Sequence, residues 1–279
     1  MSATVFAAVI VAAAMHAGWN ALLKVRLDPF LALVTGCSGA AALPLLAAFG
    51  WPRVEAWPWL LASLVFHIGY YLTLTEAYRR ADMSQIYPIA RGGAPLLTAI
   101  ASAAVLREPV GILPAFGIVV LAGGVVLMSL KGRRTGAVFD RVAMTFAIAT
   151  AGMICGYTLV DGIGARTAGD PHAYSAALFV VNGIPLPLFA LWRRGPSGVT
   201  PALGFLLPGL AGGIMSLGAY WIAIWAMTVA PIALVAALRE SSVLFAALIA
   251  VTVLKEPLTP VRVLAAAAIL CGLILIRWS

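Results

Sequence analysis

Two arginines stand deep inside apolar stretches of this chain, and their setting makes them the first candidates for chemistry. Arg91 follows Tyr87-Pro88-Ile89-Ala90, and Arg239 sits in Ala237-Leu238-Arg239-Glu240. A constant offset of 148 residues carries the first onto the second, and it also carries the turn Leu106-Arg107-Glu108-Pro109 onto Leu254-Lys255-Glu256-Pro257. A charged side chain at bilayer depth costs about 2.5–3.5 kcal/mol on insertion scales, so it marks a functional site by default. Two of them related by an internal repeat point to a pore or binding site between the halves.

Other polar residues sit at helical spacing in apolar surroundings. His16, Trp19 and Asn20 share one face of the first segment, and such a stripe belongs toward the bundle interior. The third segment sets His67, Tyr71, Leu74 and Tyr78 on one face, with Glu76 near its end. Tyr87 and Arg91 lie one turn apart between Pro88 and Pro95, prolines that favour kinks and suit either a gate or packing. Trp221 and Trp225 are likewise one turn apart, as core or interface pairs also are. Arg239 and Glu240 are sequence neighbours that point about 100° apart, so separate partners are expected. Glu76 ends its helix on the side of Arg91, which predicts an Arg91–Glu76 pair.

Those types define a binding chemistry. Trp19, Tyr71, Tyr78, Tyr157 and Trp221 offer aromatic faces to apolar and cationic groups. His16 and Asn20 offer hydrogen bonds to a carboxylate or an amine. Glu76 and Glu240 are read as the acids deep enough to carry a coupling proton.

The elements that must position these residues follow from composition. Of 279 residues 63% are hydrophobic and 10% charged, with a mean hydropathy of +1.03. About a quarter of a soluble domain's residues would be charged, so this is an integral membrane protein. The net charge of +8 is scattered through short connections rather than gathered on one stripe, which excludes nucleic acid as partner. Cys37, Cys155 and Cys271 lie in apolar runs without metal-ligand spacing and read as small buried hydrophobes; neither metal nor cofactor is expected. The first apolar run lacks a positive leader and continues into His16-Ala17-Gly18-Trp19-Asn20, so it reads as a spanning helix.

Ten segments suit a membrane helix of about 20 apolar residues. They are 4–23, 30–50, 57–79, 84–105, 111–130, 142–162, 173–192, 203–227, 232–253 and 260–277. Gly18-Trp19-Asn20 aligns with Gly156-Tyr157-Thr158, so the units 1–135 and 140–279 hold five helices each. Five is odd, and the second unit must enter from the opposite face. The fold class is therefore all-α, with two inverted five-helix repeats around a central cavity. By this count Arg91 and Arg239 fall in opposite halves of the bilayer, each placed to hold one gate, to bind cargo, or to tie helices together.

These features resemble the EamA-type ten-helix carriers of the drug/metabolite transporter superfamily. The likeness rests on Trp19-Asn20, on the turns Arg107-Glu108-Pro109 and Lys255-Glu256-Pro257, and on the duplicated unit. It covers the whole chain and is greatest toward bacterial amino-acid exporters, those for aromatic amino acids included. The resemblance implies export of small metabolites across the bacterial inner membrane. It also implies a cavity lined by helices 1, 3, 4, 6, 8 and 9. Drugs, nucleosides and sugar derivatives are alternative cargoes on the same fold. An intramembrane enzyme would need a constellation such as His-Glu-x2-His or Gly-x-Ser-x-Gly, and a directly ATP-driven pump a phosphate loop; the chain has none of them. The partners expected are a small-molecule cargo and the bilayer, with a monomer as the unit.

The chain departs from many relatives in its charges. Leaving Arg91 and Arg239 aside, the face of the termini holds four basic residues (Arg53, Arg107, Arg166, Arg277) and the opposite face twelve. The positive-inside rule then puts both termini in the periplasm, where many such carriers keep theirs in the cytoplasm. A reporter active only in the cytoplasm, fused after Ser279, is expected to stay silent. Strong activity there would reverse the orientation.

Overall fold

The computed structural model describes residues 1–23, 28–81, 83–108, 110–129, 140–253, 255 and 257–278. Lipid cannot hydrogen-bond a backbone, so a chain this apolar must satisfy its amides internally as helices. The described elements are α1 (Ala3–Leu23), α2 (Asp28–Phe49), α3 (Trp57–Arg80), α4 (Met83–Ala101), α5 (Ile112–Ser129) and α6 (Arg141–Thr167). They continue with α7 (Pro171–Asn182), α8 (Pro185–Leu203), α9 (Leu206–Val229), α10 (Ile232–Arg239), α11 (Ser242–Thr252) and α12 (Pro260–Arg277). No strand occurs among the described residues. Among the described residues nine spans are long and apolar enough to cross a membrane, and α5 supplies a shorter tenth.

Local chemistry explains the starts and breaks. Asp140 caps α6 by accepting from Val142 N (2.8 Å) and Ala143 N (3.3 Å), and Asp170 caps α7 through His172 N at 2.8 Å. The seventh span, Pro171–Arg193, joins α7 to the start of α8, and the non-helical Gly195 (φ 67°) follows it. The ninth span is split at Glu240–Ser241. There Glu240 N and Ser241 N bond three residues back, to Ala237 O (3.0 Å) and Leu238 O (3.1 Å), tightening the turn that parts α10 from α11.

The repeat is visible in the backbone. Arg107 (φ 54°) and Lys255 (φ 55°) are the only described non-glycine residues with positive φ, and they occupy the same place in the two Leu-basic-Glu-Pro turns. Ala81, ending α3, and Ala230, ending α9, share one extended geometry (φ −147°, ψ 159° and φ −145°, ψ 160°). Arg277 Nη1 donates to Met1 O at 3.1 Å, so both termini lie on one face.

Equivalent spans of the two repeats cross each other directly. In α2 against α7, a Cβ on Gly39 would lie 2.9 Å from the Gly183 Cα. In α5 against α12, a Cβ on Gly272 would lie 2.7 Å from Gly117 O and 2.8 Å from Leu121 N. Only glycine permits these approaches. Gly209 and Gly213 likewise pack α9 onto α2, whereas Gly152 faces open space. Val9, Leu121, Ile224, Met227, Leu238 and Ile269 belong to one core that joins both repeats.

Gly272→Val should therefore lower stability by about 1–3 kcal/mol, the usual cost of overpacking, and reduce the melting temperature in detergent. Gly152→Val should leave it unchanged. Equal melting of the two variants would contradict the crossing.

Candidate functional site

The intramembrane charges meet where the repeats cross. Arg91 Nε, from α4, lies 3.2 Å from Glu240 Oε2 at the break between α10 and α11. The two side chains are 12% and 6% exposed, so neither relies on bulk water. Arg91 Nη2 also donates to Ser242 Oγ at 3.4 Å and lies 3.4 Å from His16 Nε2. One guanidinium thus joins α1, α4, α10 and α11.

His16 is held on its other side by Trp19, whose Nε1 donates to His16 Nδ1 at 3.2 Å. Indole N–H and guanidinium are donors only, while a neutral imidazole carries one proton and one lone pair. With Nδ1 accepting from Trp19, the ring proton sits on Nε2 and faces the guanidinium. Two donors therefore point at one place. An acceptor there, such as a carboxylate oxygen, would satisfy both.

Arg239 takes a different partner, as its angle from Glu240 requires. Its guanidinium lies over the Tyr220 ring at 4.6 Å. The Tyr220 hydroxyl donates to Asp161 Oδ2 at 2.6 Å, and the Tyr174 hydroxyl donates to Oδ1 at 3.0 Å. Asp161 is wholly buried and has no salt bridge among the described residues. Beside it, the His67 ring stacks on Tyr157 at 4.3 Å and meets Tyr220 edge-on at 6.2 Å. His67 Nδ1 bonds Ser63 O at 2.9 Å.

The remaining predicted residues divide. Tyr71 lies edge-on to Tyr70 at 5.2 Å and, like Tyr78, is partly exposed. Trp221 donates to His172 Nδ1 at 2.8 Å, in a cluster with Phe49 away from the ion pair. Asn20 is exposed and turns back to its own helix, donating to His16 O at 2.7 Å. Tyr87 lies in α4, but its side chain is outside the described residues. A shallow groove lined by Val110, Ile112 and Leu234 contains none of these groups.

One expectation is corrected. Glu76 does not pair with Arg91: it takes Arg79 (3.3 Å) and Arg80 (2.6 Å) one turn on, because those cations are nearer along the same helix end. Arg91 and Arg239 both stand within electrostatic reach of His16 and Glu240.

At the face of the termini, Glu108 and Arg166 tie the ends of α6 and α9 to the start of α10. Arg166 Nη1 bonds Glu108 Oε1, while Arg166 Nε and Nη2 donate to Met227 O (2.8 Å) and Ala230 O (3.1 Å). Glu108 Oε2 accepts from Ile232 N (3.1 Å) at the start of α10 and from Ser102 Oγ (3.1 Å). On this face α10 packs against α1, α4, α5, α6 and α9, whereas the opposite half of the same span, α11, packs mainly on α1.

Sequence reasoning missed Asp161 and its tyrosines, and gave Glu108 no role. The signal for Asp161 was an acid inside an apolar run, but the sixth segment was ended at 162, which left it near the surface. The helix runs on to Thr167 and takes it inside. Glu108 stands in the repeated turn, yet its partners Arg166 and Ile232 come from more than 50 residues away.

The fold is matched among solved structures, 29 chains of which agree with it. One, described only as "Crystal structure of protein", has a TM-score of 0.73 and 18% identity, covering 98% of this chain and 94% of its own. No curated protein matches the sequence. The model of the EamA-like transporter family matches twice, over residues 2–130 and 142–278. With nearly the whole chain matched and apolar helices to span a bilayer, the protein is a multi-pass membrane transporter of the EamA-like family.

Proposed function

We propose that this protein exports zwitterionic metabolites, amino acids and aromatic ones among them, across the bacterial inner membrane by alternating access. The rocking units are the repeats 1–135 and 140–279, acting within one monomer, and both termini face the periplasm. The observation that carries the reading is the buried Arg91–Glu240 pair between the repeats. It has the charges of an α-amino acid in mirror image. A cargo carboxylate would take Arg91 and the Nε2 proton of His16; its ammonium would take Glu240.

Energy then sets specificity. Breaking a buried pair by removing one partner costs about 3–5 kcal/mol, because a charge is left unpaired. A cargo with both charges splits the pair and leaves neither alone. A lone acid or a lone amine leaves one behind. Tyr70, Tyr71 and the Tyr157–His67 stack stand in the same interior as aromatic surroundings for a side chain.

Selectivity is tested by equilibrium binding to purified protein. An aromatic amino acid should bind at least about 100-fold tighter than its decarboxylated amine or its deaminated acid, as about 3 kcal/mol requires. In Glu240→Gln the deaminated acid should bind as well as the amino acid. Equal competition by all three in the native protein, or uptake of nucleosides or drugs but not amino acids by proteoliposomes, would defeat the reading.

A latch of Glu108 and Arg166 that closes the termini face is the second half of the proposed mechanism. In a background without the native cysteines, Val235→Cys lies on α10 one turn beyond Ile232 and is wholly buried. Adding Glu108→Gln should raise its labelling by an impermeant maleimide from that face several-fold. Unchanged labelling would remove the latch from the mechanism.

A further inference from the structure

Asp161 is an acid in the interior of a transporter, yet the cargo site described above does not use it. Its surroundings distinguish it from the ion-paired acids. Glu240 has Arg91, Glu108 has Arg166, and Glu76 has two arginines, whereas Asp161 is held by neutral hydroxyls. Those hydroxyls come from two other helices, Tyr174 on α7 and Tyr220 on α9. From α3 come Ser63 and His67, both within electrostatic reach of the carboxyl, and from α6 itself Tyr157. From α10 comes Arg239, lying over the Tyr220 ring. Arg91 of α4 and Glu240 at the end of α10 act on Tyr157, one turn before the acid.

We infer that Asp161 is the proton-binding site that couples cargo export to the proton gradient, with Tyr220 and Arg239 as its link to the central ion pair. Both carboxylate oxygens now accept from a tyrosine. When a proton from water binds, one oxygen becomes a hydroxyl donor, and the tyrosine facing it either turns its O–H to accept or moves away. Where Tyr220 moves, its ring carries Arg239 with it, and Arg239 is the chain neighbour of Glu240. The state of the acid is thereby transmitted to the Arg91–Glu240 pair that the cargo must split. Of the side chains acting directly on the carboxyl, His67 is the one that is partly exposed.

The cycle balances simply. An O–H bond forms on Asp161 from water on one side and is broken to water on the other, while one zwitterion moves the opposite way. The cargo carries no net charge, so each turnover moves one positive charge with the proton. No redox partner or phosphate donor is involved.

This inference rests on the carrier reading, and two assays separate them. Proteoliposomes are loaded with unlabelled amino acid for counterflow, or acidified inside and diluted into alkaline buffer for gradient-driven uptake. Potassium and valinomycin clamp the potential, and an internal pH dye follows the protons. The native protein is expected to show counterflow, more than tenfold gradient-driven accumulation, and alkalinisation when cargo is added. Asp161→Asn should keep counterflow within about threefold while losing accumulation and the dye signal. Counterflow in the native protein without gradient-driven accumulation would overturn the inference and leave the carrier intact; absence of counterflow in the native protein would overturn the carrier. Accumulation by Asp161→Asn at the native level would also overturn the inference. Where Asp161→Asn does not fold, Tyr220→Phe decides: protons moved per cargo should fall below half, and the native ratio would refute the link.

Discussion

A charge in a hydrocarbon interior must find a partner there, and the architecture of this protein depends on how that demand is met. Removing one member of a buried ion pair costs about 3–5 kcal/mol, more than an interhelical polar contact in membranes of about 1–2 kcal/mol contributes. Arg91 therefore cannot point at lipid, and Glu240 cannot be left alone. Each comes from a different repeat, so satisfying both brings the repeats together. The pair is a fastening between the two halves.

The rest of the interface is built so that the repeats can meet that closely. Equivalent spans face each other, the second against the seventh and the fifth against the tenth, with glycine on glycine where the backbones touch. The fourth and ninth spans meet through charge instead. Here the repeat is deliberately unequal in chemistry, because the residue matching Glu240 is Gly92. A Cβ at Gly92 would come within 2.8 Å of Val126 Cγ2, so that place is already filled from α5. One repeat supplies the cation and the other the anion, and the crossing holds one ion pair rather than two facing carboxylates.

Around this centre the polar groups form two connected sets. One is the ion pair with His16, Trp19 and Ser242. The other is Asp161 with Tyr174, Tyr220 and His67, reached through Arg239 on the Tyr220 ring. The Glu108–Arg166 network lies outside both, at the face of the termini, and draws the start of α10 against the end of α6. A two-state carrier needs such an arrangement: a tie that can be broken at one face, and a centre whose contacts differ between states.

Much of the architecture was legible in the sequence, because lipid leaves few options. An apolar chain with breaks about every 25 residues has to form spanning helices, and the repeated Leu-basic-Glu-Pro turns at a constant offset disclosed the duplication. The same logic marked Arg91, Arg239 and Glu240 in advance, and the 100° step between neighbours separated the last two correctly. Partners were not legible. Whether Arg91 meets Glu76 or Glu240 depends on how helices far apart in the chain cross, and on Arg79 and Arg80 claiming Glu76 first. Asp161 depended on where α6 ends, five residues beyond the sequence estimate, which converted an acid near the surface into one fully enclosed by α3, α7 and α9. Helical periodicity fixes which residues share a face of one helix. Only the packing of helices from both repeats decides which faces meet, since that is set by the fit of side chains and glycines that are remote in sequence.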